Sequence, residues 1–283
     1  MEIQILAVPY DSGHRGLRMG AGPEALLKAG LVEALRDAGH KVHVRIAELD
    51  QDQWQAEIQS SFELMRMLSL AVREAREAGR FPIVLAGNCN TAVGTLAGLG
   101  ASTTGVAWFD AHADFNTPET TTSGFLDGTA VAILTGRCWT QLAATVPGFA
   151  AIPDDRVSLI GARDIDPLES DLLDDSAVTV VTPQLLKESL PRVLRSIGEK
   201  VDDIYVHLDL DVLDADVAAA NTFAVNDGLS LQDMDYALSR IGSSFRIVGV
   251  ALTAYDPEAD TEGLAARAAT RLVVTAAGLA GRT

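Results

Sequence analysis

The chain has few cysteines, few aromatic residues and no long apolar run. Its two cysteines, Cys89 and Cys138, are too few for a disulfide scaffold, which a chain of 283 residues does not need. No apolar stretch reaches the ~18 residues at which a membrane-spanning helix becomes plausible. The first residues lack the basic and apolar segments of a signal peptide. These absences predict a soluble, cytoplasmic protein.

Basic residues are also scarce. The chain carries 22 Lys and Arg against 39 Asp and Glu, which gives a formal net charge of −17 at pH 7. Binding to nucleic acid or to an anionic membrane needs clustered Lys and Arg, so neither kind of partner is expected. A hydrophobic fraction of 48% supports a sizeable core and argues against disorder. The excess of carboxylates raises the question of whether some of them are clustered for metal binding or catalysis.

Short apolar runs alternate with longer helical patterns along the chain. Strands are predicted at 3–8, 42–47, 83–86, 105–110, 157–160, 178–181, 204–209 and 247–252, and helices at 22–38, 53–78, 183–197, 230–241 and 262–279. Near-continuous apolar strands separated by helices are typical of an α/β fold with a parallel sheet covered on both faces. Because no linker-like stretch divides the chain, residues 1–283 are expected to form a single domain.

Polar motifs follow four of the predicted strands directly. They are Gly87-Asn88-Cys89-Asn90, Asp110-Ala111-His112-Ala113-Asp114, Gly161-Ala162-Arg163-Asp164 and Asp209-Leu210-Asp211. Binding sites of open parallel sheets form beyond the carboxyl ends of the strands. The sequence therefore predicts carboxylates, an imidazole and a thiol at one edge of the sheet.

The second and fourth of these motifs have the spacing of metal ligands. Asp110, His112 and Asp114 stand at i, i+2 and i+4, which places them on one face if the chain is extended. Asp209 and Asp211 repeat that spacing after another apolar strand. Four adjacent carboxylates repel one another unless they are neutralised, and two divalent cations would balance their charge. A binuclear metal site is the favoured interpretation over two unrelated surface turns.

The motifs together resemble those of the ureohydrolases, the arginase and agmatinase family of binuclear manganese enzymes. The resemblance rests on the stretches 13–23, 110–118, 121–124, 161–167 and 209–214, which are distributed along most of the chain. It implies the three-layer α/β/α arginase-like fold with an eight-stranded parallel sheet. It also implies two divalent metal ions, manganese by resemblance, and a homo-oligomer that is a trimer or hexamer.

The resemblance also implies a role for each matching residue. Asp110 and Asp209 would bridge both metals, His112 and Asp211 would hold one metal, and Asp114 the other. A hydroxide bridging the metals would attack a planar carbon bonded to nitrogens, and Asp114 would orient it and handle its proton. Asn116, Ser123 and Asp166 match residues that hold the amino-acid end of the substrate, with Glu169 assisting Asp166.

The remaining metal ligand departs from the family pattern. The family has Gly-Gly-Asp-His-Ser where this chain reads Ala86-Gly87-Asn88-Cys89-Asn90. Alignment through the downstream Val93-Gly94-Thr95 places Cys89 on the histidine, whereas alignment on Gly87 alone places Asn90 there. A thiolate ligand would shift the metal preference towards zinc, iron or cobalt. A cysteine at this position resembles the hydroxyarginine amidinohydrolase of the D-cycloserine pathway.

A second departure is Asp127, which stands where arginases carry the histidine proposed as a proton shuttle. A carboxylate could still shuttle a proton or hold a cationic substrate group, but its ordinary pKa is about 3.9 against about 6.5 for histidine. A turn-forming Asp before Gly128 is the equally weighted alternative.

The substrate pocket departs as well. Ala254 stands where the family has its guanidinium-binding Glu, and Phe223 stands where arginase has a pocket-lining Thr. A desolvated guanidinium needs a carboxylate partner, whereas a neutral hydroxyguanidine, ureido or amidine-like group does not.

The sequence thus predicts a metal-dependent amidinohydrolase of linear C–N bonds. Its substrate would be a small guanidino, hydroxyguanidino or related amino-acid-like molecule. Two alternatives stay open. One is a metal-binding family member without hydrolytic activity, acting as a pseudoenzyme or subunit-interaction protein. The other is a hydrolase of a formimino or other amidine group.

Overall fold

A parallel sheet forms the centre of the molecule. The computed structural model describes residues 1–50 and 56–281. The strands are β1 (Glu2–Val8), β2 (Tyr10–Asp11), β3 (His14–Arg15), β4 (Lys41–Ile46), β5 (Phe81–Ala86), β6 (Thr104–Phe109), β7 (Val157–Ile160), β8 (Thr179–Val181), β9 (Asp203–Asp209) and β10 (Arg246–Thr253). Within the described ranges, eight strands make one sheet in the order β4-β1-β5-β10-β9-β6-β7-β8, while β2 and β3 form a short antiparallel pair.

Helices cover both faces of this sheet. They are α1 (Gly22–Lys28), α2 (Leu31–Asp37), α3 (Glu57–Glu77), α4 (Ala92–Leu99), α5 (Ala130–Leu134), α6 (Thr140–Ala143), α7 (Pro167–Asp174), α8 (Leu186–Gly198), α9 (Leu231–Ser244) and α10 (Leu264–Ala280). One core packs the sheet against α1, α2, α8, α9 and α10, and the other packs it against α3, α4 and α5. The predicted three-layer α/β/α arrangement is therefore confirmed.

Alternation along each strand decides which core a side chain enters. In β9, Ile204, Val206 and Leu208 belong to the first core, while Tyr205 belongs to the second. His207 and Asp209 follow Tyr205 at the same period of two. The face that carries α3 and α4 is therefore also the face that leads to the polar end of β9.

All eight predicted strands of the sheet are present, in each case within a few residues of the expected bounds. The prediction of one helix over 22–38 was wrong, because Gly30 adopts a left-handed φ of 97° and separates α1 from α2. Positions 53–55 of the helix predicted over 53–78 lie outside the described residues. Helices α4 to α7 were missed. In α4 every residue is buried, so the helix has no polar face to create a periodic pattern.

None of the described helices combines the length and the apolar character needed to cross a bilayer.

The loop after β5 is positioned by a close backbone approach. A Cβ atom placed on Gly87 would lie 2.2 Å from the carbonyl oxygen of Tyr10 and 2.8 Å from the amide nitrogen of Gly20. Backbone atoms cannot yield as a flexible side chain can, so only glycine fits. Gly87 also accepts a hydrogen bond at its carbonyl from the amide of Ala254. The loop that carries Cys89 is thus held between the N-terminal segment and the end of β10.

We predict that Gly87→Ala lowers the free energy of unfolding by about 1–3 kcal/mol, because the new methyl group forces the surrounding backbone apart. Gly278→Ala, in α10, is the matched control. A Cβ there meets no atom within 4 Å, and alanine in a helix should stabilise by about 0.5–1 kcal/mol. Denaturant unfolding of both variants measures the difference, and equal stabilities would contradict the prediction.

Candidate metal centre

Two neighbouring strands end in the same local structure. Strands β6 and β9 are paired with Phe109 opposite Leu208, so Asp110 and Asp209 come next to each other at the sheet edge. Asp110 Oδ1 accepts a hydrogen bond of 2.7 Å from the amide of His112, and Asp209 Oδ1 accepts one of 2.9 Å from the amide of Asp211. In each motif the first Asp therefore closes a turn with its own side chain.

The first group of potential ligands contains Cys89, Asp110 and Asp209. Their ligand atoms all lie within 4.8 Å of one another, and Cys89 Sγ is 2.9 Å from Asp209 Oδ2. All three residues are buried. Asn90, the alternative for the histidine position, is also buried. Unlike Cys89, it is not among the described residues that line the adjoining cavity. The structure thus favours the alignment that puts Cys89 at the metal site.

The second group contains Asp110, His112 and Asp211. His112 Nδ1 lies 3.3 Å from Asp110 Oδ1 and 3.6 Å from Asp211 Oδ2. Asp110 belongs to both groups, which is the position that a bridging ligand needs. Asp209 belongs to the first group only.

Asp114 does not continue the extended backbone of β6, although the i, i+2, i+4 spacing predicted that it would. The strand ends at Phe109, and Asp114 adopts a left-handed φ of 50°, so the premise of an extended chain was wrong here. Its carbonyl accepts hydrogen bonds from the first turn of α5, and its side chain nevertheless lines the same cavity as Cys89 and Asp209. Asp114 Oδ2 is buried and has no hydrogen-bond partner among the described residues.

Burial dominates the electrostatics of this cluster. It raises the pKa of Asp110, of Asp114 and of Asp209 above the ordinary range, and repulsion from the neighbouring carboxylates raises each further. Burial also raises the pKa of the Cys89 thiol well above its usual range, with Asp209 as the nearest like charge. Without a cation these groups therefore favour their protonated forms.

His112 shows the opposite balance. Burial lowers its pKa, but the hydrogen bond to Asp110 and the charges of Asp211, Asp110 and Asp164 raise it to about 10. A proton on the imidazole thus partly neutralises the cluster. A metal ion binds neutral imidazole and ionised thiolate and carboxylate, and so would take over that role. The unpartnered oxygen of Asp114 and the oxygen, nitrogen and sulfur donors fit a pair of divalent cations.

Asp127 lies beside the thiol and supports the loop that carries it. Its carboxylate accepts hydrogen bonds of 3.0 Å from Asn88 Nδ2, 3.0 Å from the amide of Cys89 and 2.8 Å from the amide of Asn90. Burial raises the pKa of Asp127 to about 7, although these three donors lower it. The carboxyl group therefore titrates near neutral pH, in the range expected of the histidine that it replaces.

The residues predicted to bind substrate line one wall of the cavity. Asn116 Nδ2 donates a hydrogen bond of 3.1 Å to Asp166 Oδ2. Glu169 is buried, accepts from the amides of Phe115 and Asp166 and closes the capping box of α7. Ser123 is exposed at the rim, where it accepts a hydrogen bond from the amide of Phe125. Asn116, Asp166 and Glu169 all line the cavity, and Glu169 also braces the start of α7.

The cavity itself has a volume of ≈ 270 Å³. The side chains and backbone that enclose it are those of Met19, Cys89, His112, Asp114, Asn116, Thr121, Thr122, Ser123, Phe125, Asp127, Gly128, Asp164, Asp166, Glu169, Asp209, Asp211, Asn221, Phe223 and Ala254. No Lys or Arg from the described ranges is among them. At the mouth the rings of Phe125 and Phe223 are stacked with centroids 5.7 Å apart.

Sequence reasoning missed Asn221. Its Nδ2 donates a hydrogen bond of 3.3 Å to Asp211 Oδ2 and one of 2.8 Å to the carbonyl of Ala254. It therefore ties a candidate ligand to the end of β10. Asn221 lies in an irregular segment with no motif around it, so the sequence contained no signal for it. Phe125 was missed because its role depends on a contact with Phe223, on a distant loop.

His207 is a fully buried histidine, and both of its ring nitrogens have hydrogen-bond partners. Tyr205 OH lies 3.0 Å from Nδ1, and Thr253 Oγ1 lies 3.1 Å from Nε2. Its ring stacks on Trp108 with centroids 3.6 Å apart, and Trp108 Nε1 donates a hydrogen bond of 3.0 Å to Asp110 Oδ2. Burial lowers the pKa of His207 to about 3, so the imidazole is neutral near neutral pH.

Comparison with known proteins identifies the family. The model of the arginase family matches residues 1–278. The chain belongs to the arginase family. Arginases of Staphylococcus aureus and Bacillus caldovelox are each 28% identical to it, over 96% of both chains. The crystal structure of the Bacillus cereus arginase covers 100% of this chain and 99% of its own, with 26% identity and a TM-score of 0.89.

The predicted arginase fold with its eight-stranded parallel sheet is therefore confirmed. So is the prediction of an arginase-family metal-dependent ureohydrolase. The family implies a binuclear metal centre, and the two ligand groups that share Asp110 agree with it.

We predict that the metal-free protein loses stability as the pH rises from 5 to 8. Asp110, Asp114 and Asp209 have raised pKa values when folded, so the native state binds more protons than the unfolded state. The contribution of these protonated carboxyl groups to the free energy of unfolding is complete below the ordinary Asp pKa. It is lost as the pH rises past the raised pKa values. Thermal unfolding after chelation should show a falling Tm.

Metal loading should reverse this trend, because cations stabilise the ionised carboxylates and bind only the folded state. Asp114→Asn is the matched control. Its metal-free form lacks one buried acid and should show a shallower fall with a higher Tm at pH 8. A metal-free Tm that is constant or rises between pH 5 and 8 would refute this account.

Proposed function

We propose that this chain hydrolyses the guanidino-type group of a small amino-acid-like substrate, using two divalent metal ions. The observation that carries the proposal is the pair of ligand groups that share Asp110, because their other members, Cys89, Asp209, His112 and Asp211, all line one cavity. Manganese is the metal suggested by family resemblance, and zinc, iron and cobalt suit a site that includes Cys89.

In this proposal Cys89 and Asp114 hold one ion and His112 and Asp211 hold the other, with Asp110 and Asp209 between them. When bound, the ions would supply positive charge. This charge would offset the carboxylates, lower the pKa of a water molecule and polarise the C–N group that is cleaved. Cys89 distinguishes the site from one with histidine, because a thiolate adds one negative charge. The site then has lower Lewis acidity than a histidine site.

The chain's own residues orient the reactants and move the proton. Asp114 Oδ2 has no hydrogen-bond partner among the described residues and faces the cavity, so it can accept a proton from the attacking water and return it to the leaving nitrogen. Asp127, with its pKa raised to about 7, can exchange protons at neutral pH. Its three hydrogen bonds also keep Cys89 in place.

The cavity wall indicates the substrate. Asp166 and Asn116 offer an acceptor and donors for an amino-acid end, and no Lys or Arg of the described residues lines the cavity. Ala254 supplies no carboxylate for a guanidinium, and the Phe125–Phe223 pair adds apolar surface at the mouth. The N-hydroxy group makes a hydroxyguanidine much less basic than a guanidine, so it gives up its proton more readily and loses less on entering such a site than a guanidinium does. We therefore propose a hydroxyguanidino compound as the preferred substrate.

Three further proposals rest on family resemblance. Residues 1–283 act as one domain, the chain assembles into a trimer or hexamer, and its branch of the family is that of the hydroxyarginine amidinohydrolase with cysteine at the metal site.

The test of the function uses the full chain loaded with manganese, cobalt or zinc. Arginine, agmatine and N-hydroxyarginine are supplied, and urea and hydroxyurea are measured. We expect hydroxyurea release from N-hydroxyarginine. Asp209→Asn should abolish turnover, because it removes a charged ligand of the first group. Asp235→Asn makes the same chemical change on the surface, where Asp235 pairs with Arg271, and should leave turnover unchanged. If the protein binds two metals per chain but releases no urea or hydroxyurea from any of the three compounds, the proposed substrate class is wrong, and the choice lies between the non-hydrolytic family member and a hydrolase of a formimino or other amidine group.

We predict that Ala254→Glu raises the preference for arginine over N-hydroxyarginine by roughly tenfold in the ratio of kcat/KM values. A charge-assisted hydrogen bond to the guanidinium contributes about 1.5–3 kcal/mol, and about 1.4 kcal/mol corresponds to tenfold. Ala254→Gln is the control of similar size without charge and should change the ratio little. An unchanged ratio in the Glu variant would show that this position does not contact the reacting group.

A further inference from the structure

A line of buried hydrogen bonds runs behind the candidate metal centre. Cys89 Sγ lies 3.1 Å from Thr253 Oγ1, Thr253 Oγ1 lies 3.1 Å from His207 Nε2, and His207 Nδ1 lies 3.0 Å from the hydroxyl of Tyr205. Thr253, His207 and Tyr205 are fully buried, and none of them lines the cavity. The line therefore reaches the sulfur from inside the sheet rather than from the substrate side.

The sheet fixes the positions of these groups. Thr253 is the last residue of β10 and pairs with Asp209 on β9, so its hydroxyl sits beside the first ligand group. Tyr205 and His207 follow one another along the same face of β9. The indole of Trp108 stacks on the His207 ring with an interplanar angle of 4° and donates to Asp110 Oδ2. Thr253 contacts Cys89, Trp108 contacts Asp110, and both Thr253 and Trp108 contact His207.

The number of protons determines the direction of these hydrogen bonds once the sulfur is ionised. The Thr253 hydroxyl has one proton and two neighbours at 3.1 Å, Cys89 Sγ and His207 Nε2, while the carbonyl of Leu208 is more distant at 3.5 Å. A thiolate can only accept, so the hydroxyl donates to the sulfur and accepts from Nε2–H. Nδ1 of the neutral imidazole then accepts from Tyr205 O–H. With the hydrogen bonds in these directions, Cys89 Sγ, the Thr253 hydroxyl, both ring nitrogens of His207 and the Tyr205 hydroxyl each have a partner.

We infer that Thr253 is a positioning residue that donates a hydrogen bond to the Cys89 thiolate, and that His207 and Tyr205 hold its hydroxyl in that direction. The inference rests on the proposed assignment of Cys89 as a metal ligand. A hydrogen bond to a metal-bound sulfur withdraws electron density from it. It therefore offsets part of the negative charge that cysteine brings to a position where the family has histidine, and so restores some Lewis acidity to the metal.

The experiment compares cobalt(II)-loaded full-length protein with two variants of Thr253. Thr253→Val keeps the shape of the side chain and removes the hydroxyl, whereas Thr253→Ser keeps the hydroxyl. The readouts are the sulfur-to-cobalt charge-transfer absorption and the cobalt affinity. We expect the Val variant to shift the absorption to longer wavelength and to bind cobalt about tenfold more weakly, as the loss of a partner of a metal ligand typically does. The Ser variant should match the parent.

Tyr205→Phe provides a second variant in case Thr253→Val does not fold. It removes only the terminal hydroxyl and should shift the absorption in the same direction by a smaller amount. An absorption and an affinity in the Val variant equal to those of the parent would overturn the inference, as would an unshifted absorption in Tyr205→Phe. If the parent itself shows no such absorption, Cys89 is not a ligand and the inference fails. Release of hydroxyurea would still support the proposed function in that case.

Discussion

Repulsion among buried carboxylates at the ends of β6 and β9 is the constraint on which the rest of the site depends. Asp110, Asp114 and Asp209 are buried close together, and among the described residues the proton of His112 and the guanidinium of Arg163 offset only part of the charge of the cluster. Such a cluster persists in a stable protein only with a compensating positive charge. The two cations that the family implies would meet this need and would also supply the chemistry, so the stability of the fold and the activity would have the same physical origin.

The fold could be predicted from the sequence because strands buried on both faces are short, apolar and bounded by polar motifs. The clustering of the candidate ligands could be predicted for the same reason, since the carboxyl ends of adjacent parallel strands meet at one edge. The i, i+2, i+4 argument placed Asp114 in the cavity, although the extended backbone that it assumed ends at Phe109. The left-handed φ of Asp114 shows that tertiary contacts, here the hydrogen bonds to α5, can overrule local periodicity.

What could not be predicted depends on contacts between distant parts of the chain. Asn221 and Thr253 carry no motif, and each acts because the sheet brings it beside Asp211 or Cys89. The opposite difficulty applies to Asp127. Its residue type suggested an ordinary acid, whereas burial moves its pKa to that of a histidine. Short apolar helices such as α4 were invisible because complete burial removes the polar face that reveals a helix.

The two matching turns at the ends of β6 and β9 also bear on which ions the centre accepts. In both, one oxygen of the leading aspartate is held by an amide two residues later, and the other oxygen faces Trp108 or Cys89. Neither carboxylate can turn without breaking one of these hydrogen bonds. Calcium takes six to eight oxygen ligands in adaptable shells, so carboxylates held in this way suit a smaller ion better. The turns thus orient both carboxylates before any ion binds.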